Sequence, residues 1–90
     1  MVKKRNKVDI IHDMLKIILE NKGNVKKTHL MYKANLSHKQ MEIYLSELME
    51  KKFIEKDDSS KNQFIKVTKK GTDFVIKYIQ IREFEKTFGL

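Results

Sequence analysis

The spacing of the apolar residues changes along the chain, and the order of these changes restricts what the chain can fold into. Three amphipathic helical segments come first, two short β-prone stretches follow, and a last helical segment runs nearly to the C-terminus. The chain of 90 residues contains no proline, so no predicted element is interrupted. A chain of this length has room for one hydrophobic core. We therefore predict one α+β unit, mostly α, without internal repeats or low-complexity linkers.

The first two helices are predicted from apolar spacing and from the signals at their ends. Helical periodicity over residues 7–21 is followed by Gly23, a residue type that commonly ends a helix with a positive φ angle. After a short link at residues 24–25, a brief second helix is predicted over residues 26–34. Residues 35–36 then turn the chain.

The second half of the chain carries a capping signal, a hairpin signal and a last helix. Ser37 with Gln40 three residues later forms a capping-box signature for a third helix that extends to about Lys51. A β-hairpin is predicted around the polar bend at residues 57–62, and Thr68 can cap the last helix. The inward-facing positions of these elements supply the predicted core: Ile10, Ile11, Met14, Ile18, Leu30, Ala34, Leu36, Met41, Leu45, Leu48, Phe53, Ile54, Ile65 and Val67.

The composition excludes several kinds of catalytic and cofactor site. The chain has no cysteine, which removes disulfides, thiolate catalysis and cysteine metal sites. Its three glycines lie far apart, so neither a P-loop nor a dinucleotide-binding loop can form. His12, His29 and His38 lack a close helical spacing and are expected to be solvated surface residues rather than metal ligands. We therefore expect no catalytic residues, no metal, no cofactor and no enzyme activity.

No stretch of the sequence has the character of a membrane or targeting segment. No apolar run approaches the roughly 18 residues needed to span a bilayer. The basic start at residues 1–7 is followed by Asp9, Asp13 and Lys16, without a small-residue cleavage site. We interpret the start as mature chain and expect no membrane partner and a cytoplasmic location.

The positive charge is concentrated in the first part of the chain. The formal net charge is +8, and residues 1–36 hold nine basic and three acidic side chains. Such a balance favours a polyanionic partner, although a basic run can also be a solvated face or a frayed tail. Two groups are the candidates for phosphate contacts: Lys3, Lys4 and Arg5 in the N-terminal arm, and Lys26, Lys27 and Thr28, which open the predicted second helix.

The third helix begins with side chains of the types that read base edges in DNA. They are Ser37, His38, Lys39 and Gln40. Ile43 can contact a thymine methyl group or widen the stripe that faces the core, and both interpretations stay open. Tyr44 adjoins the core-facing stripe and fits packing better than phosphate binding.

The last helix carries more apolar residues than closing a small core requires. Phe74, Tyr78, Ile81 and Phe88 recur at spacings of 4, 3 and 7, which is heptad-like, and Phe84 adds a further aromatic group. We predict that residues 72–90 form a dimerisation helix attached to a domain at residues 1–71. The alternative is that this helix folds back wholly onto its own domain. Glu85 lies in the seam and would need solvent or a basic partner such as Lys77 or Arg82.

A resemblance to a known family adds to these patterns. The segment KTHLMYKANLS, residues 27–37, resembles the K-T-x-I-M-Y-x-A-N-L-S segment of small archaeal winged helix-turn-helix DNA-binding proteins. Three further stretches are in register with the same family: Tyr44 with Leu45, the junction from Leu48 to Ile54, and the VTKKG run at residues 67–71. The similarity therefore covers about residues 4–82.

The resemblance implies a winged helix-turn-helix fold with a long C-terminal helix. It implies that the third helix enters the major groove with His38, Lys39, Gln40 and Ile43 turned to DNA. A wing near residues 59–62 would bring Lys61 and Asn62 to the duplex. Members of this group are ten-kilodalton chromatin-associated proteins or regulators, many of them dimers through a C-terminal coiled coil.

We therefore interpret the chain as a non-enzymatic protein that binds double-stranded DNA. It would act as a transcription regulator or a chromatin-associated protein, as a homodimer and with the nucleoid. A winged helix can also serve as a protein-protein interaction module, because a fold does not decide function. A membrane-surface role is disfavoured because the lysines of the last helix are not segregated on one face.

Overall fold

A computed structural model describes residues 5–57 and 63–90 of the chain. Within these ranges the chain forms four helices and three strands. In chain order they are α1 (Lys7–Glu20), β1 (Asn24–Lys26), α2 (Lys27–Lys33), α3 (His38–Glu50), β2 (Ile54–Asp57), β3 (Phe64–Val67) and α4 (Lys69–Thr87). This is the predicted winged helix-turn-helix arrangement, an α+β fold that is mostly α.

Side chains cap the helices at the positions that start them. The predicted capping box of α3 is confirmed, since Ser37 Oγ accepts from the Gln40 N–H at 3.1 Å and Gln40 Oε1 accepts from the Ser37 N–H at 3.0 Å. Asn6 and Asp9 form a second capping box at the start of α1, which the sequence analysis did not identify. Gly23 ends that helix with a φ angle of 86°, as its position predicts.

The link predicted between the first two helices is a strand, which corrects the sequence interpretation. β1 pairs antiparallel with β3, placing Val25 opposite Ile65, and β3 also pairs antiparallel with β2. The sheet order is therefore β1-β3-β2. Three residues are too few to show the alternation by which a strand is recognised in a sequence. The β2-β3 pairing confirms the predicted hairpin, whose tip at residues 58–62 lies outside the described residues.

The core lies between the three N-terminal helices, the sheet and the first half of α4. Twelve of the fourteen predicted core residues are buried. The other two, Phe53 and Val67, are partly exposed at the edge of the core and pack against it, because they lie beside the start of α4 rather than beneath the helices. Three buried apolar residues were not predicted: Leu15, Val25 and Val75.

The start of α4 is fixed against the end of α3 and β2. Thr68 Oγ1 accepts from the Gly71 N–H at 3.1 Å, which confirms the predicted cap, and donates to the Lys52 carbonyl oxygen at 2.7 Å. The predicted boundary between residues 71 and 72 falls inside α4, whose first half packs onto the core through Val75. Among the described residues, no helix has the length and apolar character needed to cross a membrane.

Candidate nucleic-acid interface

One face of α3 is turned away from the core and exposed. Met41, Leu45 and Leu48 bury the opposite face. At 3.6 residues per turn, the residues farthest from the core are Lys39, Ile43, Ser46 and Glu50, and all are exposed. The Ile43 side chain is 58% exposed, so it does not widen the core. Tyr44 packs against the core, as its place beside the apolar stripe predicts.

The turn between α2 and α3 holds this face in position. Asn35 adopts a φ angle of 57°, a left-handed conformation that asparagine tolerates better than most residues. The next residue, Leu36, is buried, and its N–H donates to the Met31 carbonyl oxygen at 3.1 Å. The two helices are thus fixed relative to each other by a local turn and by a buried side chain.

The capping box changes what the first residues of α3 can offer a ligand. Gln40 Oε1 is held by the Ser37 N–H, so the Gln40 side chain presents its amide N–H donors. Bidentate recognition of adenine requires both the oxygen and the nitrogen of a glutamine amide. Gln40 can therefore donate to a base acceptor while the cap is intact. His38 and Lys39, beside it, are exposed.

The basic residues at the start of α2 are exposed, and one of them contacts α3. Lys26, Lys27 and Thr28 all lie on the surface where β1 runs directly into α2. The Lys27 ammonium forms an ion pair with Glu42 of α3. This pair was not predicted, because its partners are on different elements. It holds the pKa of Glu42 below its ordinary value, chiefly through the hydrogen bond from Lys27, with smaller contributions from Lys56 and His38.

Arg5 of the N-terminal arm is engaged within the protein. Its Nη1 donates to Asp13 Oδ2 at 3.1 Å, and its Nη2 donates to the Ala34 carbonyl oxygen at 2.9 Å. The guanidinium therefore ties the arm to the C-terminal cap of α2. The other predicted contacts of the arm and the wing, Lys3, Lys4, Lys61 and Asn62, lie outside the described residues.

Comparison with known proteins agrees with this geometry. The sequence matches the winged helix-turn-helix family over residues 4–86. The chain belongs to this family. Among curated proteins, none matches the chain.

Several solved structures share this winged helix-turn-helix fold. Sso10a-2, a DNA-binding protein from Sulfolobus solfataricus, is 19% identical with a TM-score of 0.73, over 94% of this chain and 90% of that one. F93 from STIV, a winged-helix DNA-binding protein, is 16% identical with a TM-score of 0.74, over 93% and 95% of the two chains. MepR, a transcription regulator from Staphylococcus aureus, is 18% identical with a TM-score of 0.74, but this chain covers 62% of its length.

The C-terminal helix of this winged helix-turn-helix separates into an inner and an outer face. Phe74 packs against Phe53 with 5.2 Å between ring centroids. Tyr78 contacts α1. By contrast, Ile81, Phe84 and Phe88 are exposed and lie on one stripe at spacings of 3 and 4. The rings of Phe84 and Phe88 are 4.8 Å apart. Glu85 accepts from Arg82 at 3.0 Å, one of the two partners expected for it.

His12 is buried, contrary to the expectation that it would be a solvated surface residue. It is 9% exposed and stacks on Tyr78, with ring centroids 3.9 Å apart and an interplanar angle of 15°. The reason is long-range, since α4 covers the face of α1 on which His12 lies. Within residues 5–57 and 63–90, no group of three or more metal-ligating side chains could hold an ion.

Proposed function

We propose that this chain binds double-stranded DNA by placing α3 in the major groove, as a non-enzymatic transcription regulator or chromatin-associated protein. The observation that carries the proposal is the exposed outer face of α3, held by the turn at Asn35 and Leu36, with the exposed Lys27 contacting α3 through Glu42 and Lys26 exposed next to Lys27 in the chain. A major groove about 12 Å wide admits an α-helix. The relatives Sso10a-2 and F93, which are DNA-binding proteins, support it. Association with the nucleoid would follow from this activity.

The exposed lysines at the start of α2 would supply most of the affinity. Phosphate contacts by lysine release counterions from the duplex, so binding should weaken steeply as salt is raised. Lys26 is exposed at the end of β1, and Lys27 can exchange its exposed partner Glu42 for a phosphate at little cost, because surface ion pairs contribute about 0 to 1 kcal/mol.

A double substitution, Lys26→Ala with Lys27→Ala, tests this interface. We expect binding to all duplex sequences to weaken alike and the slope of log K against log salt to fall in magnitude by about 2. The matched control is Lys16→Ala with Lys22→Ala, which removes the same charge from exposed positions on and after α1. If the first double variant keeps the wild-type slope, the start of α2 does not contact DNA.

We further propose that the protein is a homodimer through the outer stripe of α4. Ile81, Phe84 and Phe88 are each more than half exposed, and an exposed apolar stripe of this kind marks an interaction surface. Phe74 and Tyr78, the first members of the predicted seam, contact their own domain, so the pairing would begin one turn later. An antiparallel arrangement would bring Lys77 of one chain toward acidic residues of the other.

Sedimentation equilibrium at micromolar concentration tests the dimer. The wild-type mass should be about twice the 10.8 kDa of one chain, and Ile81→Glu or Phe84→Glu should halve it. Ile43→Glu places the same charge on an exposed isoleucine of α3 and should leave the mass unchanged. A wild-type mass near 11 kDa that neither α4 substitution alters would refute the dimer.

A further inference from the structure

The helix assigned to the major groove is itself acidic. Between His38 and Glu50, α3 contains one lysine and three glutamates, a net charge of −2 with histidine neutral. The surrounding chain is strongly basic. A helix that only had to approach a polyanion would gain nothing from these carboxylates. At least one of these carboxylates is therefore a candidate for a direct contact with the ligand of the helix.

The three glutamates differ in position and surroundings. Glu47 is largely covered and pairs with Lys7 of α1, so it belongs to the packing between helices. Glu50 is the last residue of α3. Glu42 lies in the N-terminal half of the helix, and its side chain is 63% exposed. In helix-turn-helix proteins the second helix of the motif, here α3, contacts the base edges with its N-terminal residues.

The neighbours of Glu42 keep its carboxylate ionised. Lys27 holds Oε1 from the start of α2, while Lys56 of β2 and His38 of α3 add positive potential. An ionised carboxylate accepts hydrogen bonds and donates none. It lies with Ser46 at the edge of a recess between α3 and the hairpin, and when Lys27 turns to a phosphate the Glu42 carboxylate is released to accept a hydrogen bond from a base.

We propose that Glu42 determines sequence specificity by accepting a hydrogen bond from the N4 amino group of a cytosine in the major groove. This inference rests on the proposed placement of α3 in that groove. Cytosine presents a donor there, guanine and thymine present acceptors, and adenine presents its donor beside the N7 acceptor. A carboxylate is thus accommodated best at cytosine. At other bases it lowers the affinity.

Selection from a random-sequence duplex library tests the proposal with the full chain. The wild-type protein should enrich sites with a cytosine at one fixed position. Glu42→Gln should replace that cytosine by adenine, because a glutamine amide pairs with adenine N6 and N7. Its affinity for the cytosine-containing duplex should fall about 5- to 100-fold, the discrimination typical of one base contact.

The control is Glu83→Gln, which removes the same charge from an exposed position of α4, outside the face assigned to DNA. It should keep the cytosine preference, whereas a loss of preference in both variants would assign the effect to net charge and overturn the proposal. A wild-type protein that binds duplex without selecting cytosine also overturns it, and leaves the proposed function standing. A protein that binds no duplex overturns both. Because Glu42 is exposed, circular dichroism should show both variants folded.

Discussion

Tyr78 donates a hydrogen bond of 2.6 Å from its hydroxyl group to Oδ1 of Asp9, which lies 69 residues earlier in the chain. The same oxygen accepts from Arg82 at 2.7 Å. The other carboxylate oxygen of Asp9 accepts from the backbone N–H of Asn6 at 3.2 Å, within the capping box of α1. One carboxylate therefore joins the first turn of α1 to the middle of α4 and fixes the direction in which α4 leaves the domain.

Tyr78→Phe should lower the free energy of unfolding by about 1 to 2 kcal/mol. The substitution removes the hydrogen bond to a charged acceptor but keeps the ring that stacks on His12. Urea denaturation measures the change. Tyr32→Phe is the matched control, since the Tyr32 side chain is 84% exposed and its loss should stay within about 0.5 kcal/mol. Equal effects in the two variants would contradict a stabilising role for the bond.

The contribution of Asp9 to stability should depend on pH. The hydrogen bond from Tyr78, followed by that from Asn6, lowers the pKa of Asp9 below its ordinary value of 3.8. A lowered pKa in the folded state means that the stabilisation is present above 3.8 and is lost as the pH falls through the folded pKa. The gap in unfolding free energy between wild type and Asp9→Asn should therefore be constant near neutrality and should narrow below 3.8.

Thermal or urea unfolding between neutral and strongly acidic pH measures this gap. Asp73→Asn, at an exposed position of α4, is the control for nonspecific acid effects. A gap that widens as the pH falls would reverse the expected sign and reject the assignment to Asp9.

Gly71→Ala should destabilise the fold by about 1 to 3 kcal/mol or more, although alanine is the better helix former. A Cβ atom at Gly71 would lie 2.3 Å from the Phe53 carbonyl oxygen and 2.8 Å from Cγ2 of Val67. Gly23→Ala is the comparison, because Gly23 has a positive φ angle but nothing within 4 Å of the added atom. Its cost should be about 1 kcal/mol, from backbone strain alone. A smaller loss at Gly71 than at Gly23 would show that α4 shifts to admit the methyl group.

Leu45→Ala should lower the free energy of unfolding by about 2 to 5 kcal/mol, because Leu45 is buried and the smaller side chain leaves a cavity. Ile43→Ala, two residues away on the exposed face, should change stability by less than about 0.5 kcal/mol. Denaturant titration of both variants checks the orientation of α3. A large loss at Ile43 with a small one at Leu45 would mean that the helix is rotated.

The elements that could be predicted from the sequence are those whose signals are local. Helical spacing, the Ser37 cap and the positive φ angle at Gly23 act within a few residues, so each was readable before the fold was known. β1 has no such signal, since its three residues become a strand only by pairing with β3. Gly71 has no local signal either, because the carbonyl oxygen of Phe53 that excludes a side chain there lies 18 residues away in the chain.

The candidate site divides in the same way. The cap of α3 depends on the helix itself and was predicted, whereas the exposure of Ile43 was one of two interpretations that the sequence left open and that the structure decides. The partners of Lys27, Arg5 and His12 come from other elements, so the spacing of residues along the chain does not predict these contacts. The sequence places Glu42 in the third helix, but its ion pair with Lys27 forms only because the start of α2 lies beside it in the fold.

Lys26 belongs to two elements, since it is the last residue of β1 and the N-cap of α2. No residue lies between the strand and the helix to act as a hinge. In β3 the partner of Lys26 is Phe64, and β3 also pairs with β2. We therefore expect the hairpin and the helix pair to open as one cooperative unit, with amide hydrogens of β1 and α2 exchanging with solvent in the same event. A DNA duplex that displaced the hairpin would have to break the pairing between β1 and β3 or move α2 together with the hairpin.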